Sequence, residues 1–486
     1  MRAFTDEEID SYLTEDGMGQ FGQELSSLVQ IQSESGNLSH AANLGAIIDA
    51  LGDKARRVGF TTEVLEAKSG ERRFPALLAT KEIDPNAPWV LVYHHADVQP
   101  EMDRPKWGDI EPFSGLIKDG IVYGRGATDD KGPLLGTLYA LDFLIRNNLL
   151  NYNVQLIVET AEEVGSVGFE EMALEAIASG KLKKPSHVFV SDTEFKEGHP
   201  NLLTTLRGIV CARVGLKLAD AAVHSGIAGG VAFNPGRILS DVLGELGNPY
   251  TLLANIPGFY EGVEVRPEDR LSLEKVARHL SPGGFMKVMR LHAQAEHRSV
   301  EHLVRLGLMP TYEFNLYQGG GAGTAIPASA EAYVSMRLVE GQDPTRIEEL
   351  FLSALDNAYR AKAPDTLYGG VSRVNSLEAE ECQPRRMEVV FEHSVPAFRT
   401  AYNTPFHRQA LASYARFFSA EPLILFEGGT IGTLPILQRA FGRDTPFVLF
   451  GQSLDTDGYH AEGEHFQLAH ARKAISAVAD YFAHLN

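Results

Sequence analysis

Between Gln20 and Glu197 the apolar residues recur in two alternating rhythms. From Leu44 to Val58 they fall at helical spacing, with Leu44, Ile47, Ile48, Leu51 and Ala55 on one face and Gly59 as a stop. Trp89 to Tyr93, Val154 to Val158 and His187 to Val190 are short continuous apolar runs, as expected of strands buried on both faces. Pro133 to Ile145 returns to helical spacing, with Pro133 suited to a first turn. Strand alternating with helix predicts an α/β unit, a mostly parallel sheet with helices on both faces.

The rhythm changes near Leu206-Arg207-Gly208. Val210, Ala212, Val214 and Leu216 mark every second position, the pattern of a sheet open on one side. Gly226 to Pro235 is rich in small residues. Asn248 to Gly307 is polar and predicted largely helical, broken by Pro249, Pro257, Pro267 and Pro282. Ala332 to Leu338 and Arg386 to His393 read as strands, and Pro344 to Lys362 as an amphipathic helix. After Pro396 come a helix (His407 to Phe418), a buried strand (Pro446 to Phe450) and a closing helix (Phe466 to Leu485). A chain of 486 residues exceeds one ordinary core. The expectation is one α/β domain in two parts, residues 1–206 and 395–486, interrupted by an inserted α+β domain over 207–394.

Charge narrows the partners. Lys plus Arg number 44 against 64 for Asp plus Glu, a formal net charge of −20. Such a surface repels phosphate backbones and anionic lipid, so neither nucleic acid nor membrane is expected. No stretch approaches the roughly 20 apolar residues of a membrane span. Met1 to Gln20 carries Asp6, Glu7, Glu8 and Asp10 and lacks the basic start and apolar centre of a secretory signal, which predicts a cytoplasmic location. Cys211 and Cys382 are too few for a disulfide framework or a thiolate metal site.

The chemistry gathers at the C-terminal ends of the predicted strands, the edge where open α/β sheets bind ligands. His95 and Asp97 point the same way in an extended segment, and a ligating imidazole commonly donates its other N–H to a carboxylate. Asp129 and Asp130 stand at the mouth of a helix. They read either as helix-terminal charge or as a carboxylate spanning two cations. Glu162 and Glu163 follow the second strand and precede Gly165 and Gly168. One carboxylate of such a pair can bind a metal while the other takes a proton from water. Asp192 follows the third strand, and His460 follows the last. Each feature alone is common in ordinary proteins. Together they supply nitrogen and oxygen donors without thiolates, a set suited to Zn²⁺, Mn²⁺ or Co²⁺. They are too many for one open catalytic ion and enough for two ions about 3.5–4 Å apart.

His95-Ala-Asp-Val-Gln-Pro100, Gly124-Arg-Gly-Ala-Thr-Asp-Asp-Lys-Gly132, Glu159-Thr-Ala-Glu-Glu163 and Ser191-Asp192 occur in this order. In these segments, and over nearly its whole length, the chain resembles the M20 metallopeptidase family, in particular its carnosinase-like cytosolic dipeptidases. The resemblance implies that His95, Asp129 and Asp192 hold one divalent cation. Asp129, Glu163 and His460 would hold the other, with Asp129 as bridge. It makes Glu162 the general base and Asp97 the residue behind His95, and it implies a cis peptide between Asp129 and Asp130. His224, in His224-Ser-Gly-Ile-Ala-Gly-Gly230, would reach the other subunit's active site in a homodimer and stabilise the oxyanion. Thr324, Arg337 and His393 resemble substrate-binding positions, as do Glu427 and Thr430 in Glu427-Gly-Gly-Thr430. Arg337 would clamp a terminal carboxylate, although an Arg in a strand also suits a surface ion pair and Gly319 to Gly323 also suits a plain loop. His94 stands where many relatives have Gly, so either histidine is a candidate ligand; only His95 has Asp97 two residues on. Asp192 is the acid of the dipeptidase branches, where several deacylase branches carry Glu. The implied activity is hydrolysis of the amide bond of a dipeptide or very short peptide. An N-acyl-amino-acid deacylase is the alternative, and a non-catalytic peptide-binding relative a distant one.

Overall fold

Val90 and Val92 point to one face of their strand, Leu91 and Tyr93 to the other, and all four side chains are buried. That alternation divides the interior of this computed structural model, which describes residues 4–280, 300–318, 323–377, 383–427 and 429–485. Val90, Val92, Val154, Leu156 and Val158 pack with the helices Ala41–Val58, Gly132–Arg146 and Leu468–Ala483. Leu91, Tyr93, Ile157, Val188 and Leu449 pack with Phe169–Ala178 and Thr433–Phe441 on the opposite face. A sheet covered on both faces has no polar side, which is why these strands read as continuous apolar runs.

The sheet has eight strands, in the order Thr61–Ser69, Arg72–Lys81, Asn153–Glu159, Trp89–His95, His187–Val190, Phe447–Phe450, Asn201–Leu203 and Leu423–Leu425. Its four central strands, from Asn153–Glu159 to Phe447–Phe450, run parallel. Arg72–Lys81 and Asn201–Leu203 flank them antiparallel. The mixed α/β class follows the sequence pattern. Gly59 ends the first long helix as expected: at φ 101° its N–H reaches back to the carbonyls of Ala55 and Arg56.

A second sheet of five strands is built from Thr311–Gln318, Ser329–Leu338, Gly208–Lys217, Met387–Val395 and Val371–Arg373. Val210, Ala212, Val214 and Leu216 face a core with the helices Pro235–Glu245 and Pro344–Lys362. Ile209, Arg213 and Lys217 lie on the less buried face. The predicted helical stretch from Asn248 to Gly307 needs correction. Residues 248–266 form turns, and the described helices there are Pro267–His279 and Val300–Leu308. Asn248 accepts from the N–H groups of Tyr250 and Thr251, an Asx turn that competes with helix. Pro267 starts its helix rather than breaking one. Pro282, Gly319 to Ala322, Cys382 and Gly428 lie outside the described residues.

The chain passes from the first sheet to the second and back through one small ribbon, where Thr205 pairs with Arg399 and Leu206 with Phe398. Helix Pro267–His279 packs on the edge strand Leu423–Leu425. Its Leu273 joins Val304, Leu308 and Phe426 in a small apolar cluster. No described helix is long and apolar enough to cross a membrane.

Candidate active site

Because the four central strands are parallel, their carboxyl ends share one edge. His95 is the last residue of its strand, Glu162 and Glu163 follow Glu159, and Asp192 follows Val190 by two residues. Asp129 lies in a kinked turn just before helix Gly132–Arg146, with φ −122° and ψ 89°, and the Asp129–Asp130 peptide is cis. His460 comes from the loop before His465–Gln467 and has φ 52°.

These residues converge. His95 Nε2 lies 2.9 Å from Asp129 Oδ1 and 3.8 Å from Asp192 Oδ1. His460 Nε2 lies 3.0 Å from Asp129 Oδ2 and 3.1 Å from Glu163 Oε2. Two triads result, His95–Asp129–Asp192 and Asp129–Glu163–His460, each with its donor atoms within 4.8 Å of one another. Asp129 belongs to both and turns one oxygen to each. His94 points elsewhere, to Asp130 Oδ2 at 2.6 Å and Thr137 Oγ1 at 3.1 Å, so the cluster contains His95.

Behind His95, Nδ1 faces the Asp97 backbone carbonyl at 3.1 Å and its carboxylate at 3.5 Å. The Asp97 carboxylate also accepts from the backbone N–H of Glu162 and Glu163, at 3.2 and 3.1 Å. One buried acid thus fixes a histidine and the turn carrying the acidic pair. Two further supports escaped the sequence reading, one in the His95–Pro100 segment and one just beyond His460. Gln99 donates to Glu163 Oε2 at 2.7 Å. Glu464, fully buried, accepts from the N–H groups of Thr128 and Asp129 and pairs with Arg125 at 2.7 Å. A buried acid four residues after His460 and a glutamine four after His95 were the available signals.

The electrostatics are those of a site crowded with acid. Burial alone would lower the His95 imidazole, but Asp129, Asp192 and Asp97 outweigh it and hold it well above the usual range. Contact with Asp129 and Glu163 lifts His460 to about 11. Burial, then the charges of Asp192, Glu163 and Asp97, pushes Glu162 well up, and burial with Asp129 raises Glu163. Acids packed this closely in a buried site call for positive charge between them. Imidazole and carboxylate donors without sulfur match Zn²⁺, Mn²⁺ or Co²⁺, so the residues present fit a pair of divalent cations.

Of the residues expected to bind substrate, Arg337 donates from Nη1 to Thr430 Oγ1 at 3.0 Å, and that hydroxyl donates to the Arg207 carbonyl at 2.6 Å. Among the described residues no carboxylate pairs with Arg337. Glu427 has a partner within the chain, Lys196 at 2.6 Å, which also pairs with Glu194. His393 is exposed on the strand beside Gly208–Lys217, opposite Cys211. His224 and Thr324 meet across the short ladder Val223–His224 with Ala325–Ile326, their Nε2 and Oγ1 3.3 Å apart. His224 Nδ1 accepts from the Gly226 N–H, so a neutral ring carries its proton on Nε2. Among the described residues no hydrogen bond or ion pair joins the His224–Thr324 pair to the acidic cluster.

The sequence model of peptidase family M20/M25/M40 matches residues 91–484. The chain belongs to this family. Among M20 relatives it is 26% identical over 419 residues to the β-Ala-His dipeptidase of Rattus norvegicus, covering 85% of this chain and 80% of that protein. It is 27% identical over 423 residues to the Cys-Gly metallodipeptidase DUG1 of Saccharomyces cerevisiae, covering 84% and 82%. It also matches the probable di- and tripeptidase DUG2 of that yeast at 25% identity, covering 82% of this chain but 42% of that longer protein. The solved structure of the dipeptidase Dug1p from Saccharomyces cerevisiae superposes with a TM-score of 0.80 at 23% identity, over 98% of this chain and 97% of that one. At that identity the superposition speaks for the fold.

Proposed function

We propose that this M20 enzyme is a dinuclear-metal dipeptidase, hydrolysing the amide bond of dipeptides or very short peptides with Glu162 as general base. The observation that carries this reading is the sharing of Asp129 between His95 and His460, which sets two candidate cation-binding triads side by side. The dipeptidase names of the relatives support the substrate class. When bound, two divalent cations, Zn²⁺, Mn²⁺ or Co²⁺, would lower the pKa of a water and polarise the scissile carbonyl.

The chain's own residues do the rest. His95, Asp129 and Asp192 hold one cation, and Asp129, Glu163 and His460 the other. Glu162, beside the triads but in neither, takes the proton of the attacking water and returns it to the leaving amine. Asp97 keeps this base in register with Glu163 through their two N–H groups. Arg337, without an acid partner among the described residues, takes the terminal carboxylate, with Thr430 beside it and His393 flanking the substrate, while Thr324 stays with His224, 3.3 Å away, and reaches substrate at the same site as that histidine. Glu427 sits with Glu194 around the single ammonium of Lys196, which leaves acid to meet a substrate amino group. Residues 1–206 and 395–486 form the catalytic domain, and 207–394 a lid and dimerisation domain. His224, exposed and with Nε2 beside the Thr324 hydroxyl, serves the active site of the other subunit in a homodimer and donates to the oxyanion. Cys211, buried and free, suits a cytoplasmic setting.

Chelation followed by dialysis is expected to abolish hydrolysis, and Zn²⁺, Mn²⁺ or Co²⁺ to restore it; an unchanged rate after chelation removes the metal reading. A panel of dipeptides, tripeptides and N-acetyl amino acids is expected to show dipeptides cleaved fastest. Preference for the N-acetyl compounds would make the enzyme a deacylase instead. His224→Ala is expected to lower kcat by about 10²–10³-fold with cation content unchanged. Mixed with Glu162→Ala protein, it is expected to regain activity through hybrid dimers that each keep one intact site. No regain counts against action between subunits.

A further inference from the structure

His94, Asp130, Thr137, Ser191 and Gln452 are all fully buried, and all are polar. They touch one another in a chain of contacts beneath the acidic cluster. His94 bridges Asp130 Oδ2 at 2.6 Å and Thr137 Oγ1 at 3.1 Å. The Thr137 hydroxyl also lies 3.0 Å from the Pro133 carbonyl, one turn back on its helix. Gln452 Nε2 reaches the same hydroxyl at 3.0 Å, the Pro133 carbonyl at 3.0 Å and Ser191 Oγ at 2.8 Å. Ser191 Oγ in turn donates to the Phe450 carbonyl at 2.7 Å.

The membership of this chain of contacts is selective. His94 adjoins His95, Asp130 adjoins Asp129, and Ser191 adjoins Asp192. Every residue of the first triad therefore has its sequence neighbour tied to one set of hydrogen bonds, centred on Thr137 and Gln452. In the second triad, Glu163 and His460 have no neighbour in it. Buried polar contacts restrict their members because breaking one strands a polar group away from water; Asp130 Oδ1 and Gln452 Oε1 have no hydrogen-bond partner among the described residues, so the restraint comes from the contacts named above. Groups behind metal ligands orient them and tune their affinity.

We propose that His94, Asp130, Thr137, Gln452 and Ser191 form a positioning network that sets the spacing of His95, Asp129 and Asp192, and so the affinity of the first cation far more than that of the second, with which it shares only Asp129. None of the five touches substrate in this scheme. The inference rests on the two-cation reading above. It also gives His94 a role, although the sequence left it only as a rival ligand.

The test is a Co²⁺ titration of metal-stripped protein, followed by visible absorption and calorimetry, on the unsubstituted chain, Thr137→Val and Thr137→Ser. The unsubstituted chain is expected to bind two equivalents. Thr137→Val is expected to bind one about 10–100-fold more weakly and the other with much the smaller change. Thr137→Ser, which keeps the hydroxyl, restores the pattern. His460→Ala removes the second site, so the weakened step is the one that survives in His460→Ala/Thr137→Val. Should Thr137→Val not fold, Ser191→Ala carries the same comparison with a smaller change. Two equivalents bound with unchanged affinity, or both weakened alike, overturns the network. An unsubstituted chain that binds no Co²⁺ fails at an earlier point, the two-cation reading itself.

Discussion

Glu162→Gln is expected to lower kcat by about 10²–10⁴-fold, the usual contribution of a positioned general base, while the protein retains its cations. The amide keeps the shape of the side chain and removes its ability to take a proton. Glu162 supplies no donor atom to either triad, so its substitution leaves both triads complete. The Asp97 contact to its backbone N–H is also untouched, since it does not involve the side chain. Burial and the surrounding acids raise the proton affinity of this carboxyl, which suits a group that takes a proton from water and later returns it. Steady-state kinetics and metal analysis on the same sample check the prediction. A rate near that of the parent would remove Glu162 from the mechanism, and loss of cations along with rate would make it a ligand.

Asp129→Ala is expected to have the broadest effect, because this carboxylate faces both histidines. Cation uptake falls from two per chain to none, and turnover falls with it, whereas Asp192→Ala loses one cation. Thermal unfolding gives a second readout. A cation at 100 times its dissociation constant stabilises the folded protein by about 2.7 kcal/mol per site. Added Zn²⁺ or Co²⁺ is therefore expected to raise the unfolding temperature of the stripped parent and leave that of Asp129→Ala unmoved. An equal rise in both proteins would place the cations somewhere else.

The centre of the main sheet was legible in sequence because burial on both faces writes itself as unbroken apolar runs. Trp89 to Tyr93 and His187 to Val190 are strands where expected. The triads were legible for a related reason: His95, Glu163 and Asp192 sit at or just beyond strands that could be recognised, and parallel strands deliver them to one edge, while Asp129 stands before a helix and His460 in a loop. Asn201–Leu203 and Leu423–Leu425, at three residues each, are too short to show a period. The turns of 248–266 hid behind a composition that also suits helix. Gln99, Glu464 and Lys196 act through distant partners, and sequence spacing carries no trace of a contact between Thr128 and Glu464. The orientation of His94 was likewise a matter of which face its strand turned inward.

Leu423–Leu425 forms one margin of the eight-stranded sheet, and what shields it is a helix, Pro267–His279, from the long excursion that leaves at Leu206 and returns at Phe398. Since those two residues are paired neighbours, a tight hairpin turn could join them and cut the excursion out. The shortened molecule would keep the acids and imidazoles of both triads, yet lay bare Phe426 and a row of unsatisfied backbone groups. Such a molecule is expected to stack with its own copies through that exposed edge.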